Sequence, residues 1–155
     1  MNHTTTTPDA GFHADETTGG NAFTRYLPSV ARFLMGLMFF VFGLNGFLHF
    51  IPQPKTAMPE GAVAFIGALM NSGYMMPMVS GTQVIVGALL LANRFVPLAL
   101  ALIAPVIVNI IAFHAFLAPS GAGPGAVVLV LEIYLAWAYR KAFLPMLAPR
   151  VKPSH

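Results

Sequence analysis

From Phe95 to Leu117 the chain runs twenty-three residues, FVPLALALIAPVIVNIIAFHAFL, without one Asp, Glu, Lys or Arg. A helix needs about 20 apolar residues to cross a hydrocarbon core of about 30 Å, because each residue rises about 1.5 Å. This stretch meets that length, and comparable apolar runs stand at 28–51, 75–92 and 126–142. Only 8% of the 155 residues are charged, against roughly a quarter in an ordinary soluble domain. The expected fold is an all-α integral membrane protein, a bundle of four transmembrane helices.

The punctuation between the runs refines that expectation. Residues 1–24 are rich in Thr, Gly and acids and hold no apolar run, so they read as a disordered tail that cannot bury enough surface to offset ordering entropy. A basic region leading into an apolar core is missing from it, so it does not read as a secretory signal, and the first span stays as an anchor. The membrane domain is expected over 25–145, followed by a basic tail at 146–155. The first span stops at IPQP, where Pro52 and Pro54 remove donors. PEGAVAFIGALMN at 59–71 then starts with a proline and a glutamate, a helix-opening pattern, but is too short to span. It reads as an interfacial or re-entrant helix directing Val63, Phe65, Ile66, Leu69 and Met70 towards lipid or bundle. Pro105 is expected to kink the third span by depriving the Ala101 carbonyl of its donor, and PSGAGPG at 119–125 reads as the loop before the fourth.

Lys and Arg set the orientation. Arg25, Arg32, Arg94, Arg140, Lys141, Arg150 and Lys152 fall on one side of these spans and only Lys55 on the other. By the positive-inside rule both termini are cytoplasmic, in a bacterial inner membrane, with the loops at 52–74 and 118–125 facing out. The basic groups sit at span ends, where they contact anionic headgroups, so the net charge of +3 does not argue for nucleic acid. The chain has no cysteine, which excludes disulfides and thiolate chemistry within it.

With that topology, Asn45, His49, Gln83, Asn109, His114 and Glu132 are all expected in the outer half of the spans. Such a cluster forms a candidate ligand-binding or proton-handling pocket. An ionised acid near the bilayer centre costs roughly 2.5 to 3.5 kcal/mol, so Glu132 should face protein or water, with His49, His114, Gln83 or Lys55 as partners. Phe42, Asn45, Gly46 and His49 share one stripe, and Gly125, Leu129, Glu132, Ala136 and Tyr139 another. Gly36 and Gly43 offer small-residue surface for close approach of a second helix. Asn109 and His114 stand about 140° apart around an ideal helix, so they serve different neighbours unless Pro105 reorients one. The plainer readings are that the amides are interhelical glue and that the histidines meet water at the headgroup boundary.

Two metal readings are weaker. Met70, Met75, Met76 and Met78 offer soft thioethers that suit Cu(I), yet methionine also fills apolar surface without ligating anything. Haem held by His49 and His114 would need both rings to face each other across the bundle. Phosphate-binding loops, nucleophile elbows and zinc-protease motifs are absent from the sequence.

Three stretches carry a family resemblance: RFLMG at 32–36, FGLNGFLHF at 42–50 and QVIVGALLLANRFVPLAL at 83–100. Together with the four spans between about 25 and 145, they make the chain resemble the DoxX family of small membrane proteins. The resemblance implies a four-helix bundle, often with a short extra segment after the first helix, and a link to redox complexes. Related DoxD-type subunits are associated with oxidation of thiosulfate by quinone. Gln83 stands where many members have a glutamate before the glycine, which leaves Glu132 as the one acid within a span. The function expected on these grounds is an accessory or redox-linked membrane subunit whose pocket takes a quinone-like or other small amphipathic ligand. Its partners would be the bilayer, a membrane or periplasmic redox protein and further copies of itself. The alternatives are a small transporter or solute-binding module, and a scaffold without ligand. The sequence assigns no reaction.

Overall fold

A computed structural model describes residues 22–52 and 57–150. Residues 1–21 of the expected disordered tail, Pro54, Lys55 and Lys152 lie outside these residues, while residues 22–24 of that tail are helical. The described chain is helical throughout its regular structure: α1 (Ala22–Leu48), α2 (Glu60–Asn71), α3 (Met75–Leu91), α4 (Val96–Phe116), α5 (Ala122–Ala138) and the single turn α6 (Arg140–Phe143). Short 3₁₀ turns occupy Pro119–Gly121 and Leu144–Leu147. Three stretches, Arg25–Leu48, Val96–Phe116 and Pro119–Ala138, are long and apolar enough to cross a membrane. A fourth crossing exists if α2 and α3, bent 88° to each other, form one span. The 17 residues of α3 rise only about 25 Å.

α1 packs on α3 and α5, and α4 packs on the same two, so the four long helices close a ring. Met35, Val86, Leu90, Leu100, Ile103, Ile107 and Leu135 fill its centre and are fully buried. Outside, Phe33, Leu37, Ile85, Leu98, Val108, Val130 and Ile133 are exposed. Helices apolar on every side have no reason to fold that way in water, and the pattern fits a hydrocarbon surround.

The tightest contact is α1 on α3. A Cβ added at Gly43 would stand 2.7 Å from the Val84 nitrogen, and one at Gly87 2.5 Å from the Phe40 nitrogen. Small residues seven apart on each helix, Gly36 and Gly43 on α1 and Ser80 and Gly87 on α3, bring the backbones together. This is how helices associate where burial from water gives little drive.

Arg32 is partly buried beside this seam and donates from its guanidinium to the carbonyls of Leu90 and Leu91. Those carbonyls end α3, where the Leu90 oxygen also accepts from the Asn93 amide of the following turn at 3.2 Å and a cation complements the helix dipole. Arg32→Gln should therefore lower stability in detergent by about 1–2 kcal/mol, read as a fall in melting temperature relative to wild type. Arg94→Gln, whose residue is exposed in the turn after α3, should leave it within about 0.5 kcal/mol.

Four helix boundaries differ from expectation. α1 continues back through Pro28 to Ala22, since a proline in the second turn removes one hydrogen bond and leaves the rest of the ladder. It stops at Leu48, before Ile51, because His49 turns left-handed at φ 51° and the Asn45 side-chain oxygen accepts from the Ile51 amide at 2.7 Å. α5 begins four residues earlier than 126. Pro124 falls in its first turn, where a missing N–H costs nothing, so the Gly/Pro-rich segment starts the helix instead of preceding it. α5 then ends at Ala138, with Tyr139 leaving helical geometry at ψ 12°. α4 runs unbroken through Pro105.

Candidate functional site

α2 leaves α3 through a sharp turn. The Ser72 hydroxyl donates to the Leu69 carbonyl at 2.6 Å and accepts from the Met75 amide at 3.1 Å. Gly73 takes φ +75°, open to a residue without Cβ. This turn lays α2 across the end of the ring, where Phe65 meets Phe113 with ring centroids 5.8 Å apart and Gly61 lies close to Leu117.

Beneath α2 lies a cavity of about 480 Å³, within the usual range for sites that hold small organic ligands. α2 supplies Phe65, Ile66 and Leu69, α3 supplies Met76, Val79 and Gln83, and α4 supplies Pro105, Val106, Asn109, Ile110, Phe113 and His114. Three polar side chains thus converge in an apolar, partly open cavity. A second cavity of about 280 Å³ lies among α1, α3, α4 and α5, lined by Met38, Phe39, Phe42, Gln83, Ile110, His114, Pro124, Gly125 and Val128. Gln83, Ile110 and His114 line both, so they form the wall between the two.

His114 is held from several sides. Its Nδ1 lies 3.0 Å from the Ala118 carbonyl oxygen, and Phe113 meets the ring edge-on. A Cβ at Gly121 would stand 2.6 Å from Cε1, and one at Gly125 3.5 Å from Cδ2. Two glycines therefore make the space the imidazole occupies. They are four apart in GAGPG, a small-xxx-small pattern that marks close helix approach. That motif was the available sequence signal for the site, hidden inside a segment that reads as loop.

Of the six expected polar residues, the structure brings Gln83, Asn109 and His114 together and separates the rest. Asn109 and His114 line one cavity despite their angular separation, because α2 and α3 wrap a broad face of α4. Asn45 lines neither cavity; its side-chain oxygen closes the end of α1. His49 is exposed beyond that end and lines neither cavity, so the two histidines do not face each other as haem ligands would. Met76 lines the first cavity, while Met70, Met75 and Met78 do not. Among the described residues no three His, Asp or Glu side chains cluster.

Glu132 departs most from its expected place. The earlier start of α5 puts it about 15 Å along the helix from Ala122 and about 9 Å from Ala138, so it lies in the half of α5 nearer Ala138. It stands about 10 Å further along α5 than Gly125, which packs on His114, and it lines neither cavity. Val128 and Leu135, one turn away on either side, are buried. Its Oε2 is buried with no hydrogen-bond partner among the described residues, so none of His49, His114 and Gln83 partners that oxygen.

Compared with known proteins, the chain matches no protein-family model, no curated protein and no solved structure.

Proposed function

We propose that this chain is an integral membrane protein of the DoxX type, an accessory or redox-linked subunit, whose cavity beneath α2 holds a small amphipathic molecule of quinone-like size. The observation that carries this reading is the convergence of Gln83, Asn109 and His114 in an otherwise apolar cavity of about 480 Å³. Ligand sites have this make-up: apolar walls for affinity and a few polar groups for orientation. In this reading α1, α4 and α5 cross the bilayer and α3 crosses with its bend into α2. Both termini are cytoplasmic, since Arg32, Arg94 and Arg140 gather at the end of the ring away from α2. The cavity then lies towards the outer face, where a membrane or periplasmic redox partner would meet it. Glu132 is not part of the proposed site.

The test is native mass spectrometry of full-length protein extracted with its surrounding lipid. Wild type should retain a small membrane-derived molecule, and the Gln83→Leu/Asn109→Leu variant should lose it while melting within a few degrees of wild type. A short-chain ubiquinone analogue added at about a hundred times its dissociation constant should stabilise wild type by about 2.7 kcal/mol. Protein that carries nothing and shows no stabilisation by such amphipaths is a scaffold, and the reading fails.

A further inference from the structure

The carbonyl of Ala118 fixes the polarity of the cavity wall. A carbonyl oxygen only accepts, so the His114 Nδ1 that lies 3.0 Å from it carries the hydrogen and donates it. Among the described residues the ring's hydrogen bond is to Ala118 alone. In the neutral imidazole the remaining nitrogen, Nε2, is a lone pair. Nε2 has no hydrogen-bond partner among the described residues, and the ring lines both cavities. Gln83 and Asn109 carry amides, which donate and accept alike, so they favour neither kind of ligand. His114 alone gives the site a sign.

Resting on the reading that the cavity takes a small amphipathic molecule, we propose that it selects one able to donate a hydroxyl hydrogen to Nε2 of His114. The ligand class is phenol, quinol or alcohol, in preference to one that offers only a carbonyl or ether oxygen at that point. A ligand carbonyl set against Nε2 would place two acceptors together and leave both unsatisfied in apolar surroundings. A hydroxyl completes the chain from ligand to Nε2 and from Nδ1 to Ala118. A quinone carbonyl oxygen is therefore the poorer partner at that nitrogen, and the reduced, hydroxylated form the better one.

The experiment compares radiolabelled para-octylphenol with its methyl ether, in which a methyl group replaces the hydroxyl hydrogen. Binding is measured on full-length protein in lipid nanodiscs, with empty nanodiscs subtracted. The phenol should bind about tenfold or more tightly than the ether, the worth of one net hydrogen bond plus the cost of an unsatisfied acceptor. In His114→Phe the preference should fall to within about twofold, with the phenol losing affinity and the ether keeping it. Equal binding of the two probes to wild type overturns the hydroxyl preference while leaving the ligand cavity standing. Failure of both probes to bind overturns the cavity reading and this inference together. A nitrogen-15 spectrum of the imidazole needs no substitution: Nε2 of His114 should appear as the unprotonated ring nitrogen, and a protonated Nε2 with bare Nδ1 overturns the proposal.

Discussion

Gly87→Ala should cost the protein about 2–3 kcal/mol of stability or prevent its accumulation, although it adds a single methyl group. The new Cβ would stand 2.5 Å and 2.7 Å from the nitrogen and Cα of Phe40, and 2.8 Å from the carbonyl oxygen of Gly36. All three atoms are backbone, so no side chain can rotate out of the way, and α1 and α3 must separate along their whole seam. Overpacking of a close core contact costs about 1–3 kcal/mol, and this one falls on the closest helix pair in the ring. Gly81→Ala, on the same helix, is the control. Its added Cβ meets nothing within 4 Å, so the substitution should be neutral or stabilise by up to about 1 kcal/mol through helix propensity. Melting temperatures in one detergent decide the matter. If Gly87→Ala melts no lower than Gly81→Ala, the backbones do not approach as described.

The contrast between those two glycines shows what the sequence carries and what it withholds. Run length and hydropathy located the four long helices, because the demand for about 20 apolar residues per crossing is written residue by residue, and the Pro59–Glu60 start pattern located α2. Gly36 and Gly43 were legible as a close-packing stripe, but Ser80 and Gly87 complete it from a helix whose facing is settled only by packing. The end of α1 was misplaced because His49 adopts a left-handed turn that few non-glycine residues take, and no composition rule signals it. At α5 the prolines and glycines of PSGAGPG carry two meanings, loop and helix start, and the structure chooses the second. That choice moves Glu132 inward along the helix and removes it from the polar cluster. Depth estimated from helix ends is only as good as the ends.

Gly121→Ala should disable the ligand site without unfolding the bundle, because the atom it strikes belongs to a side chain. The added Cβ would lie 2.6 Å from Cε1 and 3.0 Å from Nδ1 of His114, closer than any packed carbon tolerates. Unlike Phe40 at Gly87, the imidazole can rotate about its own bonds, so the strain is released by turning the ring away from Ala118. One hydrogen bond is lost, at a stability cost of about 1 kcal/mol. The wall between the two cavities loses its oriented acceptor, and amphipathic ligands that use it should weaken about tenfold or more. Gly123→Ala offers the comparison, since a Cβ there meets nothing within 4 Å and both binding and melting should stay near wild type. The same nitrogen-15 spectrum tracks the ring: in Gly121→Ala the fixed tautomer should give way to a mixture. An unchanged tautomer with unchanged binding would mean that the glycine is not what makes room for His114. A glycine kept in the first turn beyond a helix, with no positive φ to require it, is then explained by the imidazole it admits. The small-residue spacing of GAGPG serves the site as much as the packing of α5 on α4.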